Sequence, residues 1–234
     1  LTDGAHGVDF STTPDTLVSS AYGVIAGDGT SPDITNTTIS EFEADGINTE
    51  ANELTVEDGS RVVDNNQETT FGAGDGGIIT NADATGTFTV SASAVDDNNG
   101  VGIDVAAATL ELSDSTVSDN ADAGLNVDAD AVNITDGSAI TQNSGTGADL
   151  TVDNATVTDS NISTNADGAN IVATSDVTVE NSNIDDNDRG LAVDATTTVI
   201  DENTIEENGD GVIVDVTDSA NSTVTLNTLA NNTQ

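Results

Sequence analysis

An asparagine recurs every 21 to 24 residues through the last two thirds of this chain, each time three positions after an aliphatic residue. The pairs are Val95/Asn98, Val117/Asn120, Ile140/Asn143, Ile162/Asn165, Ile184/Asn187, Ile205/Asn208 and Leu229/Asn232. The steps between asparagines are 22, 23, 22, 22, 21 and 24 residues. In the body of the repeat a short polar turn, a glycine and an alternating apolar run follow. A period of this size marks a solenoid in which each repeat is one coil. Such a coil cannot enclose its own apolar face, so its stability has to come from the coils above and below it.

The segments within one period are strands, not helices. In Gly168–Arg189 (GANIVATSDVTVENSNIDDNDR), apolar alternation shows at Ile171 and again at Val177 and Val179, and Ile184 follows a polar corner. Leu191, Val193, Val199 and Ile205 fall in matching places one repeat later. Period-two alternation in short runs argues for β-structure. The runs are three to five residues long and are separated by Gly, Asn, Asp and Ser, which form turns. The expectation is three short strands and three corners per coil.

This pattern resembles the right-handed parallel β-helix repeat, shared by pectin-lyase-like proteins and by many surface and phage-tail proteins. The resemblance is clear over residues 95–232. It implies an all-β fold, a single-stranded right-handed parallel β-helix, with the handedness coming from the resemblance and not from the spacing. At about 22 residues per coil, the 234 residues give about ten coils and a rod roughly 50 Å long. We read 1–234 as one β-helix domain, with irregular coils or a cap over 1–94 and regular coils over 95–234. The early part echoes the repeat: Ile39–Gly46 parallels Ile162–Gly168, with Phe42 at the asparagine position, and Val63-Asp64-Asn65-Asn66 is a partial match. Spacing is irregular between Gly46 and Gly102, which predicts longer loops there.

Stacking explains the asparagine. Equivalent residues of successive coils lie about 4.7–4.9 Å apart. An amide side chain offers donors and an acceptor, so a column of asparagines can hydrogen-bond along the stack. Asparagine also tolerates the left-handed backbone region of a tight corner. The sequence therefore predicts an inward ladder of Asn98, Asn120, Asn143, Asn165, Asn187, Asn208 and Asn232. A separate set, Asn36, Asn133, Asn154, Asn161, Asn221 and Asn231, stands in Asn-X-Ser/Thr sequons, the N-glycosylation acceptor. None of these is a ladder position. Glycosylation requires an exposed amide, so the two sets are expected to face opposite ways.

Charge supplies the second constraint. There are 43 acidic residues against two arginines, Arg61 and Arg189, one histidine, His6, and no lysine, for a net charge of −41. Repulsion on that scale opposes a compact state in dilute buffer. At about 1 M salt the Debye length falls to roughly 3 Å and surface carboxylates scarcely sense one another. The composition resembles that of extreme halophiles, above all halophilic archaea. Binding to nucleic acid or anionic membranes is disfavoured, because the chain has no basic patch. Without cysteine, no disulfide staples the fold, and no apolar run reaches the roughly 18 residues that would cross a membrane as a helix.

Catalytic and metal motifs are thin. Pectin-lyase-like enzymes, as a family, use a basic residue with calcium, or paired aspartates with nearby His and Arg/Lys, and this sequence departs from both arrangements. Arg189 lies in the acidic corner Asn183–Gly190 and reads as a charge partner for Asp185, Asp186 or Asp188. His6 reads as a loop residue. The adjacent acids Asp96-Asp97 and Asp185-Asp186 point apart if they lie on a strand. Asp185, Asp186 and Asp188 are weak metal candidates, with Arg189 standing where a calcium ligand would be wanted. No cofactor is called for beyond weakly held Ca²⁺, Mg²⁺, K⁺ or Na⁺. Gly72-Ala73-Gly74-Asp75-Gly76-Gly77 satisfies G-x-G-x-x-G, but the strand-like Ile78-Ile79-Thr80 follows it where a helix N-terminus would have to bind phosphate, so it reads as a loop.

The expectation is a non-catalytic, extracellular structural or adhesive protein: a glycosylated subunit of a cell-surface filament or fibre, assembling with copies of itself at high salt, with surface glycans as further partners. The chain starts at Leu1 without a methionine, which fits a processed protein or a part of a longer one. Two alternatives stand beside this reading: a glycan-binding or carbohydrate-active β-helix, and a viral tail fibre or spike.

Overall fold

The computed structural model describes residues 15–18, 22–66, 76–80 and 85–233. Its first sheet is a stack of ten parallel strands of three or four residues, from Asp15–Val18 to Thr228–Ala230. Ten rungs enclose nine full turns, against the ten coils expected. Consecutive rungs pair Val62, Val95, Val117, Ile140, Ile162, Ile184, Ile205 and Leu229 in register. From Val62 to Ile205 these side chains are 0% exposed. They form one vertical file of aliphatic groups, which is why an aliphatic residue recurs at this point of each period.

The other two faces belong to one 15-stranded sheet, again parallel throughout the described pairings. The second face stacks Ile47, Ile78, Ile103, Leu125, Ala148, Ala169 and Leu191 inward, and the third stacks Phe88, Leu110, Val132, Ala155 and Val177. The expectation of three separate short strands per coil fails in the middle of the rod. There Val101–Ser113, Leu125–Thr135 and Ala148–Thr158 each run unbroken around the corner between these faces. The residues at this bend are Ala106, Ala107 and Ala108 in one coil and Asp128, Ala129 and Asp130 in the next. None of them has positive φ. The chain bends there with the ladder resumed at once on the far side, the register skipping only Ala108 and Asp130. Two repeats later the strands Asp167–Ala173 and Asp176–Glu180 are separate.

The irregular part keeps the same axis. Asn65 and Asn98 stack directly although 33 residues separate them, so this coil carries an insertion of about ten residues relative to its neighbours. Residues 67–75 and 81–84, where the longer loops were expected, lie outside the described residues, as do His6 and Gly72–Asp75 of the glycine motif. The last two glycines of that motif, Gly76 and Gly77, are not loop: they open the strand Gly76–Thr80.

The inward positions are not all apolar. Thr198 pairs with Val177 in the third-face file, is 1% exposed, and its Oγ1 has no hydrogen-bond partner. A buried hydroxyl with nothing to bond costs about 1–3 kcal/mol. Thr198→Val, which keeps the shape, is expected to raise unfolding stability by about 1 kcal/mol or more, read as a higher denaturant midpoint at unchanged m-value.

Candidate functional site

The corner after the first sheet is held by a column of amides. Asn98 donates from Nδ2 to Asn120 Oδ1 at 3.0 Å, Asn120 to Asn143 at 2.9 Å, Asn143 to Asn165 at 3.1 Å, Asn165 to Asn187 at 3.3 Å, Asn187 to Asn208 at 3.0 Å and Asn208 to Asn232 at 3.2 Å. Each Oδ1 also accepts the backbone N–H of the asparagine one coil earlier, as Asn143 Oδ1 does from Asn120 N at 3.1 Å. Each Nδ2 in addition reaches back to the carbonyl of the aliphatic residue in the preceding coil: Asn143 to Val117 at 3.1 Å, Asn165 to Ile140 at 3.0 Å. One side chain thus meets four bonds. Asn98 to Asn208 are buried and Asn232 is half-buried. The column extends one coil further than its seven predicted members, since Asn65 donates to Asn98 Oδ1 at 3.0 Å. Phe42 takes the next place and its N–H donates to Asn65 Oδ1.

The local backbone differs from the expectation in one respect. The left-handed residue at this corner is not the ladder asparagine but the one before it: Asp64, Asp97, Asp119, Gln142, Thr164, Asp186, Glu207 and Asn231 all have φ between 56° and 60°. The side chain of that residue faces solvent, which leaves the asparagine free to turn its amide inward. The glycine of the repeat is required by space. A Cβ on Gly147 would lie 2.7 Å from Asn165 Nδ2 and 2.7 Å from the Gly168 carbonyl.

A second polar column lines the corner before the first sheet, and sequence reasoning passed over it. Ser60, Ser93, Ser115, Ser138, Ser160 and Ser182 are buried. Backbone N–H groups donate to the hydroxyl one coil on, Ser93 to Ser115 Oγ at 3.1 Å and Ser160 to Ser182 Oγ at 3.2 Å. At the C-terminal end the column changes to amides: Ser182 N–H donates to Asn203 Oδ1 at 2.9 Å and Asn203 N–H to Asn227 Oδ1 at 3.0 Å. The full repeat is therefore Ser-x-aliphatic-x-x-Asn. The signal was a polar residue two positions before every aliphatic one, but serine is so common in exposed turns that its chemistry alone did not mark it as inward.

Outside these columns the surface is acidic, and stacking lines up like charges. Partial loss of hydration, followed by the charges of Asp119, Asp96 and Asp64, raises the Asp97 carboxyl above its usual range, with Arg61 opposing. Desolvation likewise raises Asp185, with Asp186 and Glu206 adding to it. On the second face, asparagines separate the acids. Asn126 donates to Asp104 at 2.9 Å and Asn170 to Asp149 at 2.8 Å, giving the vertical order Asp104, Asn126, Asp149, Asn170. Burial still holds Asp104 up, against the amide of Asn126. Asp45 is 1% exposed and is raised by burial, opposed by hydrogen bonds from Asn48 and the Gly76 N–H. The two arginines bridge coils: Arg61 to Asp96 at 2.7 Å and Arg189 to Asp167 at 2.8 Å. The local partners expected for Arg189 are wrong. Arg189 pairs with Asp167 in strand register, so their side chains share a face, while Asp185 bonds Asn183 on a different sheet.

The concave feature lies at the bend between the second and third faces, a groove of about 480 Å³. Its floor is Ala107, Ala129 and Val152, and Asp128, Asp130, Asp153, Thr151 and Thr174 edge it. A second hollow of about 320 Å³ shares Ala106, Asp128 and Thr151 with it. Thr174 donates to Asp153 across coils. Carboxylates and hydroxyls over a small apolar floor can accept and donate to a hydroxyl-rich ligand. Neither arginine enters this groove, and Asp185, Asp186 and Asp188 lie away from it. Among the described residues no three His, Cys, Asp or Glu side chains converge as a metal site, and no helix is long and apolar enough to cross a membrane.

Comparison with known proteins agrees with this geometry at the level of the fold. The family described as a right handed beta helix region matches residues 106–234, more than half of the chain. No curated protein and no solved structure matches it.

Two outcomes follow for stability. Asn143→Ala removes two donors and an acceptor from the dry interior and strands the Asn120 N–H and Nδ2, so it is expected to cost about 3 kcal/mol or more, measured by denaturant unfolding in molar salt. The second concerns pH. With Asp45, Asp97, Asp104 and Asp185 raised in the folded state, the native protein holds more protons than the unfolded chain just above the ordinary carboxylate value of about 4. Stability then falls as pH rises through that window. Lowering the pH from 7 toward about 4.5 in dilute buffer is expected to raise the melting temperature, and molar salt to shrink the effect; Asp97→Asn should raise the melting temperature more at the upper pH than at the lower.

Proposed function

The chain belongs to the right-handed β-helix family, and on that premise we propose that it is a non-catalytic structural or adhesive surface protein, a rod whose stack is open to extension by further coils, those of another copy among them. One observation carries this reading. The last coil keeps the polar columns in register but leaves its apolar residues uncovered. Val224 and Leu229 pair with Ile200 and Ile205, both 0% exposed, yet are themselves 50% and 57% exposed. Leu226 is 74% exposed at a left-handed position that acids or amides take in most other coils. Asn227 and Asn232 each accept from the coil before and present their own backbone N–H on the open side, where every earlier asparagine of the column finds the next amide. A coil edge with unpaired strand groups, apolar side chains and directed donors favours strand-on-strand addition.

The charge sets the conditions. Two rods of this composition repel one another in dilute buffer, and a Debye length of roughly 3 Å at about 1 M salt removes most of that barrier. This fits a halophilic setting. The sequons fit the cell exterior, where a filament or fibre subunit would work. A second reading, a glycan-binding module, rests on the carboxylate- and hydroxyl-edged groove at Asp128, Asp130 and Asp153.

In electron micrographs taken at about 1 M salt or above, the chain is expected to form linear end-to-end assemblies. The double variant Val224→Asp, Leu229→Asp is expected to abolish them while leaving the β-sheet circular dichroism in place. A monodisperse monomer overturns the filament reading, and a closed trimer points to a spike.

A further inference from the structure

The six sequons divide in two once the coil is closed. Asn133 and Asn161 lie on flat faces, inside strands, packed between the coils on either side. Asn133 pairs with Glu111 and Thr156 and donates to Glu111 Oε1 at 2.8 Å. Asn161 pairs with Ala139 and Asn183, donates to Ser163 Oγ at 3.1 Å and accepts from Asn183 Nδ2 at 3.0 Å. Both are half-buried. The other four lie on the edges of the prism and are exposed. Asn36 is the corner residue before the first sheet, with φ of 49°. Asn231 is the left-handed residue beside the amide column, with φ of 56°. Asn154 stands one residue past the bend between the second and third faces, in register with Ala131. Its Oδ1 accepts from Asp176 N–H, and its Nδ2 has no partner among the described residues. Asn221 is in the turn between the strands Asp210–Val216 and Thr223–Thr225, where its amide meets only exposed Asp218.

We propose that Asn36, Asn154, Asn221 and Asn231 are the N-glycosylated residues and that Asn133 and Asn161 are not. An acceptor amide has to present Nδ2 to the transferring enzyme and afterwards leave room for a sugar. The amides of Asn133 and Asn161 are half-buried and already engaged by Glu111, Ser163 and Asn183. On an edge the chain turns away on both sides and the amide projects from the prism. The glycans then run along the edges and leave the three faces largely bare. This inference rests on the reading of the protein as a cell-exterior glycoprotein, but not on filament assembly.

The test is peptide mass spectrometry of the full chain secreted by an N-glycosylating host, with enzymatic release in heavy-oxygen water marking each occupied asparagine. The expected result is label at Asn36, Asn154, Asn221 and Asn231 alone. Asn154→Gln should remove one glycan's mass, and Asn161→Gln none. Label at Asn133 or Asn161 overturns the edge rule while the glycoprotein reading stands. A secreted chain with no label at any sequon overturns both.

Discussion

The hydrogen bond from one asparagine amide to the next is the interaction on which the rest of the structure depends. A coil of about 22 residues closes only if its corners turn sharply, and a sharp corner turns backbone N–H and carbonyl groups away from the strand ladders. Here the amide column meets those groups from within: Asn143 serves the Asn120 N–H, the Asn120 amide, the Val117 carbonyl and Asn165. The same column sets the register. A slip of one residue would place Asp or Ser in the dry interior and the amide in solvent. The glycine at Gly124, Gly147 and Gly168 follows from the closeness of that amide, so two recurrent letters of the repeat have a single physical origin.

The acidic exterior works against this order and is managed by position. Where acids share a vertical file, as Asp64, Asp97 and Asp119 do at the left-handed corner, lost hydration and the charges of the neighbours raise the Asp97 carboxyl. Where the file alternates, as in Asp104, Asn126, Asp149 and Asn170, each carboxylate accepts an amide in place of facing another carboxylate. With only Arg61 and Arg189 as counter-charges among the described residues, each bridging one pair of coils, mobile cations have to supply the remaining neutralisation. That places ionic strength, more than specific ion pairs, in control of rod stability.

Much of the fold was legible because its period repeats. The aliphatic file and the amide file each recur at a fixed offset, and seven repetitions distinguish an inward position from chance. The serine column recurs equally well, at Ser93, Ser115, Ser138, Ser160 and Ser182, but a hydroxyl gives no compositional sign of facing inward, and the change to Asn203 and Asn227 blurs it. The continuous strands through Ala106–Ala108 were hidden for a related reason: a gradual bend needs no glycine or left-handed residue, so nothing in the sequence marks the corner as unlike the other two. The assignment of Arg189 to its own loop failed because proximity in sequence was read as proximity in space. In a solenoid the near neighbour of a residue is some 22 positions away, and Asp167 is that neighbour.

The sequence by itself determined the phase of the aliphatic and asparagine files and how much negative charge the chain carries. That phase depends on backbone geometry within one period, which local residue types encode. The tertiary structure alone decided which residue sits above which, because coil lengths vary from 21 to 24 residues, with one step of 33. That vertical matching settled the serine column, the partners of both arginines, the alternating acid and amide file, and the division of the sequons between edges and faces. Its physical basis is the strand ladder, which locks coil onto coil through contacts that no single period contains.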